Sequence, residues 1–434
     1  MKKVLSTALA LGLVAGIAST AAAYDSFSIR GYYSLEGNYA TNTVRSNGVL
    51  DAGADLAHAD SYSSAWYYHE FRAYPVMKVN DKTTLKAEVR LLHDDWGGGN
   101  DSHAAGSDVV DWDKLWLEYD SPLGMIHAGT TPWGSWGTSF GDGGSRMNSI
   151  KYFPNMLPAP FTSVIFTGKV IEEDSELLAS DEDNDYYEGR FGYKTDVVEA
   201  QIGLGLSDYQ NDSTTSVNKW RVRGYAKTSF AGLSIEGEFD HYFGDSDPDV
   251  GDSTDYDAWA AYAHVGGKAG NVAVGVLGWL TTGQDETSDD NEAYGHAGID
   301  FEPLLIATGD DFGLLQDNTK SIYSGAVNIS GQVAVGAYAS MPVSDKLTLT
   351  TVIGSAWADD TSVLEGMTGT TIDDHYGWEI DVKADYKLLD NLTYSLNFGY
   401  FAAGDLFEDA HMALAGIAGE DDIILVNHTL NMAF

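Results

Sequence analysis

The chain has 434 residues, with 65 acidic side chains against 24 Lys and Arg, a formal charge of −41 and no cysteine. This balance argues against a nucleic-acid partner, which requires clustered Lys and Arg. The lack of thiols excludes disulfides, thiolate metal sites and Cys-x-x-Cys-His haem attachment. Gly (48) and Tyr (25) are abundant and Pro (9) is scarce, and past the N-terminus no apolar run approaches the ~18 residues of a membrane-spanning helix.

Residues 1–23 read as a secretory signal: Lys2 and Lys3, a largely apolar run Val4–Ile17, then Ala21-Ala22-Ala23. Charged start, short apolar core and small-residue cleavage site are the three parts of such a signal. Cleavage after Ala23 leaves residues 24–434 as a single expected domain.

From Phe27 onward the chain alternates with period two, which predicts strands. In Phe27–Tyr39, Ile29, Tyr33, Leu35 and Tyr39 oppose Arg30, Ser34, Glu36 and Asn38. Tyr67, Phe71 and Ala73 oppose Glu70 and Arg72; Leu85, Ala87, Val89 and Leu91 oppose Lys86, Glu88 and Arg90. Trp112–Tyr119 and Met125–Gly129 flank a tight Ser-Pro-Leu-Gly connection and so predict a hairpin, followed by a Gly-rich loop carrying Pro132, Trp133 and Trp136. Asn148–Phe153 and Phe161–Ile171 read as two further strands. Tyr187, Phe191 and Tyr193 oppose Glu188, Arg190 and Lys194; Trp220 and Val222 oppose Lys219, Arg221 and Arg223; Ile235 and Phe239 oppose Glu236, Glu238 and Asp240. The pattern ends in Ile423–Phe434, where Ile424, Val426, Leu430, Met432 and Phe434 alternate with Leu425, Asn427, Thr429 and Asn431.

Short turns alternate with long acidic connections, exemplified by Thr41–Asp60, Glu172–Asp185, Gly244–Asp255, Thr281–Lys320 and Ala402–Asp422. A transmembrane antiparallel β-barrel has this plan, with short periplasmic turns and long extracellular loops. A bilayer admits β structure only when every backbone group is paired, which forces closure. The expected class is all-β with about eighteen strands, or sixteen if Asn148–Asp174 is loop.

With aromatic faces toward lipid, Arg72, Lys86, Glu88, Arg90, Lys114, Trp116, Glu118, Arg190, Arg221, Arg223, Glu236 and Glu238 are expected to line the lumen. Charges facing lipid cost ~2–4 kcal/mol each near the midplane, so as a set they require a wet interior.

Other chemistry fares poorly. Asp245, Asp247 and Asp249 imitate a calcium loop, but Val250 stands where the sharp-turn Gly belongs and no Glu closes the ligand set. Gly137-Thr-Ser139-Phe-Gly141 matches a nucleophile elbow, yet loop residues rather than a helix follow it. The Gly-rich loop lacks the Gly-Lys-Ser/Thr ending of a phosphate-binding loop. No enzyme, metal site or cofactor is expected; acidic loops would attract divalent cations loosely.

Leu115-Trp-Leu-Glu-Tyr119, Leu123-Gly124, His127-Ala-Gly129, Thr131-Pro132-Trp133-Gly134 and Asn148-Ser-Ile-Lys-Tyr152 resemble the run of Gram-negative general (trimeric) porins that leads into their third extracellular loop. The resemblance implies that residues 130–147 fold inward as a constriction, carried by Thr131, Pro132, Trp133, Trp136, Asp142 and Arg146. It also implies a homotrimer in the outer membrane, in contact with its lipid and lipopolysaccharide. A final strand ending in Phe434 looks like one read by the barrel-assembly machinery. The chain departs from the family at Thr130, where an Arg is usual, and in having Asp142 as the one carboxylate between Gly129 and Arg146. The expected function is passive diffusion of small hydrophilic solutes and ions. The alternatives are a sugar-type specific channel with Trp112, Trp116, Trp133 and Trp136 along its path, and a non-conducting structural or adhesive barrel.

Overall fold

The structure is a computed structural model. It describes residues 25–42, 44–46, 49–51, 63–96, 110–133, 136–175, 180–211, 215–248, 252–298, 300–309, 313–316, 324–409 and 422–434. The signal expected at 1–23, Asp249, and most of the connections expected at Thr41–Asp60 and Ala402–Asp422 lie outside these residues.

Eighteen antiparallel strands form one closed sheet. In chain order they are β1 (Ser26–Thr41), β2 (Ser63–Asn80), β3 (Thr83–Asp95), β4 (Val110–Ser121), β5 (Gly124–Pro132) and β6 (Arg146–Pro154). Then come β7 (Phe161–Ser175), β8 (Ser180–Lys194), β9 (Val198–Asn211), β10 (Thr215–Phe230), β11 (Leu233–Pro248) and β12 (Thr254–Ala269). The last six are β13 (Val272–Thr281), β14 (Gln332–Pro342), β15 (Leu347–Trp357), β16 (His375–Leu389), β17 (Leu392–Ala403) and β18 (Ile423–Ala433). Each strand pairs with its sequence neighbours, and β1 pairs with both β2 and β18 to close the cylinder. Asn148–Phe153 and Phe161–Ile171 are both wall, which decides eighteen over sixteen.

Alternation places the two chemistries on opposite faces. Ile202 (65% exposed), Ile150 (56%), Val276 (57%) and Ile353 (50%) point outward. Glu70, Glu88, Lys114, Glu188, Arg223 and Asp240 are buried inside. An apolar exterior around a polar interior is stable only with hydrocarbon outside and water within.

Closure is keyed by residues at the seam. Gly31 and Phe434 exchange two backbone hydrogen bonds of 3.0 Å, and the Phe434 ring stacks on Phe71 at 5.5 Å. A Cβ on Gly31 would lie 2.3 Å from the Arg72 carbonyl and 2.6 Å from the Phe434 ring, so only Gly fits. Inside, Asn427 donates to Asn38 at 2.6 Å and to Glu36, while Asn397 donates to Asn427 at 2.7 Å. On the outer face Val426 (36% exposed), Met432 (38%) and Phe434 (48%) follow the expected alternation, with Leu430 half-buried between them.

Three expectations are corrected. Glu172–Asp185 and Gly244–Asp255 are not long loops: β7 and β8 pair up to Ser175↔Ser180, and β11 and β12 up to Ser246↔Thr254. Acids are poor strand formers in general, but above a membrane both faces meet water and the backbone ladder simply continues. The outcome is a tall wall, with β7–β12 at 14–16 residues against 10–11 for β13–β15. Thr281–Lys320 does not lie outside: its described residues fold back into the barrel. The reason is apolar content, since Phe301, Leu304 and Ile306 are all 3% exposed or less. Trp112 does not line the path. The β3–β4 register shifts between Glu88 and Val89, which turns Asp113 inward beside Lys114 and leaves Trp112 outside at 49% exposure.

Candidate pore lining and constriction

The neck of the first inward loop is pinched where the Trp133 N–H donates to the Ser145 carbonyl at 2.6 Å. Thr131, fully buried, shares a hydroxyl hydrogen bond of 2.6 Å with Ser149, and the Lys151 amine donates to the Pro132 carbonyl. From there the segment runs along the inner wall, strand by strand. Trp133 meets Tyr186 of β8 edge-on at 5.3 Å. Trp136 has Arg223 at 4.0 Å and Arg190 at 5.0 Å from its ring centre, and Tyr225 of β10 edge-on at 5.1 Å. The Thr138 hydroxyl donates to Glu238 of β11, and Phe140 stacks on Tyr262 of β12 at 5.5 Å. Asp142 accepts the Gly144 N–H at 3.1 Å with its carboxylate, and so caps its own turn. Ser139 lies in this turn, without the strand–turn–helix setting of a nucleophile elbow.

Beyond Phe140 the first loop meets the second. The Gly298 N–H donates to the Phe140 carbonyl at 2.7 Å, and Phe301 abuts Phe140 at 5.3 Å. Phe301, Leu304, Ile306, Leu314 and Leu315 pack with Trp279 and Tyr376 of the wall into one apolar cluster. Gln316 donates to the Phe301 carbonyl at 2.7 Å, and Gln332 to that of Leu315, so buried backbone is satisfied. Helices α1 (Ser324–Ser330) and α2 (Ser362–Thr368) pack on the same side. The β12–β17 side of the lumen is therefore filled.

The β1–β6 wall carries a network of ion pairs. Arg72 bonds Glu70 and, at 3.1 Å, Glu88; Lys114 bonds Glu88 at 2.8 Å and Asp113 at 3.2 Å. Arg90 reaches Asp113 at 3.7 Å, Arg146 contacts Asp113, and Lys86 bonds Glu118 at 2.9 Å. Trp116 donates to Glu118 at 3.1 Å. Four carboxylates of this network are covered, Glu70 (10%), Glu88 (9%), Asp113 (9%) and Glu118 (14%), while Asp111, 3.6 Å from Arg146, is 56% exposed. Four of its cations are more open: Arg72 (23%), Arg90 (27%), Lys86 (35%) and Arg146 (47%).

A second cluster sits beneath the first loop. Glu188 accepts from Arg190 at 2.7 Å, Arg223 at 2.9 Å and the Tyr186 hydroxyl at 2.9 Å. Arg221 grips Asp240 at 2.8 Å, and the Tyr294 hydroxyl donates to Asp240 at 3.0 Å. Burial and the facing Asp240 carboxylate raise the pKa of this loop phenol well above its ordinary value. Glu236 accepts from the Tyr262 hydroxyl at 2.8 Å. The structure brings the twelve residues assigned from alternation into these contacts. Those that sequence reading missed are Asp113, Thr138, Phe140, Asp240, Tyr294 and Phe301. Only Asp240 and Phe301 carried a signal, the first by alternation and the second by opening an apolar run inside a polar loop.

No protein-family model and no curated protein matches the chain. Solved structures do, at low identity and nearly full length. OccK9 (OpdG) of Pseudomonas aeruginosa aligns at 12% identity over 95% of this chain and 100% of its own, with a TM-score of 0.54. OpdQ of the same organism aligns at 12% identity over 94% and 97%, with a TM-score of 0.53. The outer membrane protein OpdK, also from Pseudomonas aeruginosa, aligns at 11% over 94% and 98%, with a TM-score of 0.51. At these identities the likeness is one of fold. By fold the chain is an outer-membrane β-barrel.

Proposed function

We propose that this protein is a water-filled outer-membrane channel for passive diffusion of small hydrophilic solutes, with anions favoured over cations. The observation that carries the reading is the exposure asymmetry of the β1–β6 wall. The two inward loops occupy the opposite side, so solutes pass along this wall, and there four carboxylates are covered against one that is open, Asp111, while four of the five cations, all but Lys114, are more open. The formal charge of −41 belongs largely to acids in extracellular connections and the tops of strands. It acts at the mouth, where salt screens it within ~10 Å at 0.1 M. Reversal potential in a salt gradient across a planar bilayer tests this: anion preference is the expected result, and cation preference would overturn the ionic part of the reading.

A second reading, a substrate-specific channel, is favoured by the two inward loops, which leave a path bordered by a fixed pattern of charges and Trp116. Concentration-dependent block of the current by one solute class at low concentration would establish it. The motif around Leu115–Tyr152 supports a homotrimer, which light scattering of the detergent-solubilised protein tests.

A further inference from the structure

β16 carries two acids on its inner face, Glu379 (0% exposed) and Asp381 (3%). Among the described residues, neither meets a Lys, Arg or His. Besides each other, their partners are three successive backbone N–H groups of the second inward loop. Ile306 and Ala307 donate to the two Glu379 oxygens at 2.7 and 2.8 Å, and Leu305 donates to Asp381 at 3.1 Å. Successive amides turned the same way form an anion-binding nest, here filled by protein carboxylates. Thr308 closes the turn, accepting the Leu304 N–H at 3.0 Å.

The wall beside these acids is hollowed. The residue directly across from Glu379 on β15 is Gly354, and the one across from Asp381 on β17 is Gly399. A Cβ on Gly354 would come within 3.0 Å of the Leu304 side chain, and one on Gly399 within 3.2 Å of Ile306. Two missing side chains thus make the space into which Leu304 and Ile306 fit, and two carboxylates between them hold the backbone.

We infer that Gly354, Glu379, Asp381 and Gly399 form a socket that positions the second inward loop, and that this seating sets how much of the lumen stays open. The first half stands apart from the channel reading; the second rests on it.

The test uses the absence of native cysteine. Ala307→Cys places a single thiol at a position 1% exposed, and its rate of labelling by a membrane-impermeant maleimide reports seating without any current. Glu379→Gln removes one acceptor, and Gly399→Val fills the hollow. In either background labelling is expected to accelerate about ten- to hundredfold, the loss from one buried hydrogen-bond acceptor or one blocked contact. Labelling as slow as in the Ala307→Cys parent, in protein that keeps its heat-modifiable folded band, would overturn the socket. Should Glu379→Gln not fold, Gly399→Val decides alone. In planar bilayers both variants are expected to conduct more per channel than the parent. Faster labelling with unchanged conductance would overturn the second half of the inference. A parent that conducts nothing refutes the channel reading, while labelling still decides the socket.

Discussion

Replacing Trp136 by Ala should loosen the first inward loop from the wall. The indole is 9% exposed, lies 4.0 Å from Arg223 and 5.0 Å from Arg190, and meets Tyr225 edge-on. Truncating a buried Trp costs ~3–5 kcal/mol, part of it the cation–π contacts. At ~1.4 kcal/mol per decade, the loop's unseated population rises roughly 10²- to 4 × 10³-fold. Other anchors survive, among them the Thr138–Glu238 hydrogen bond, ~1 kcal/mol, the buried Phe140 ring, ~1.5–3 kcal/mol, the Gly298 N–H on the Phe140 carbonyl and the Trp133–Tyr186 contact. The single variant should therefore show a noisier open channel with brief larger excursions, and adding Phe140→Ala should give a steady larger conductance. Single-channel recording in planar bilayers reads both. Single and double variants as quiet as the parent, with the same conductance, would refute the reasoning.

Arg146, the most open cation of the β1–β6 network, contacts Asp113. Arg146→Glu sets two acids side by side and should move the reversal potential toward cations, more at 0.1 M than at 1 M salt, where the screening length falls to ~3 Å; a shift toward anions would sink the pore-lining assignment. Ile202→Arg, at an outward position 65% exposed, should cost ~2–4 kcal/mol if it faces the hydrocarbon midplane. A chemical denaturation midpoint in lipid vesicles that does not fall would move that face out of the membrane. Gly31→Val drives a side chain into the Arg72 carbonyl and the Phe434 ring. Loss of the folded band on unheated gels is expected, and a fully folded variant would contradict the closure geometry.

Much of this fold was legible because a barrel writes its inside and outside in every second residue. The rows Arg72–Glu70 and Arg223–Arg221 needed only parity. Parity fails where the ladder slips: the bulge at Asp113 reversed Trp112, and nothing local in the sequence announces a bulge. Composition misled at Glu172–Asp185 and Gly244–Asp255, because a chain above the membrane pairs its backbone without needing an apolar face. The second inward loop was hidden for another reason. Its acids suggested solvent, while its fate was decided by Phe301, Leu304 and Ile306 and by glycines on distant strands. The constriction contacts Thr138–Glu238 and Phe140–Tyr262 are likewise long-range and leave no periodic trace.

The seam between β1 and β18 bears on the order of events during folding. Every other pairing joins neighbours along the chain, whereas Asn427 and Glu36 are 391 residues apart. Bringing such ends together costs about 4 kcal/mol more than closing a turn of ~3 residues. The seam is thus the last ladder to zip, and until then β1 and β18 are the two bare edges of an almost finished sheet. A slip of one residue at that moment would still satisfy the backbone but would turn Asn427 toward lipid and strand Asn38 and Asn397. The asparagine ladder consequently works as a register check applied once, at the final step, by side chains that then stay buried on the inner face.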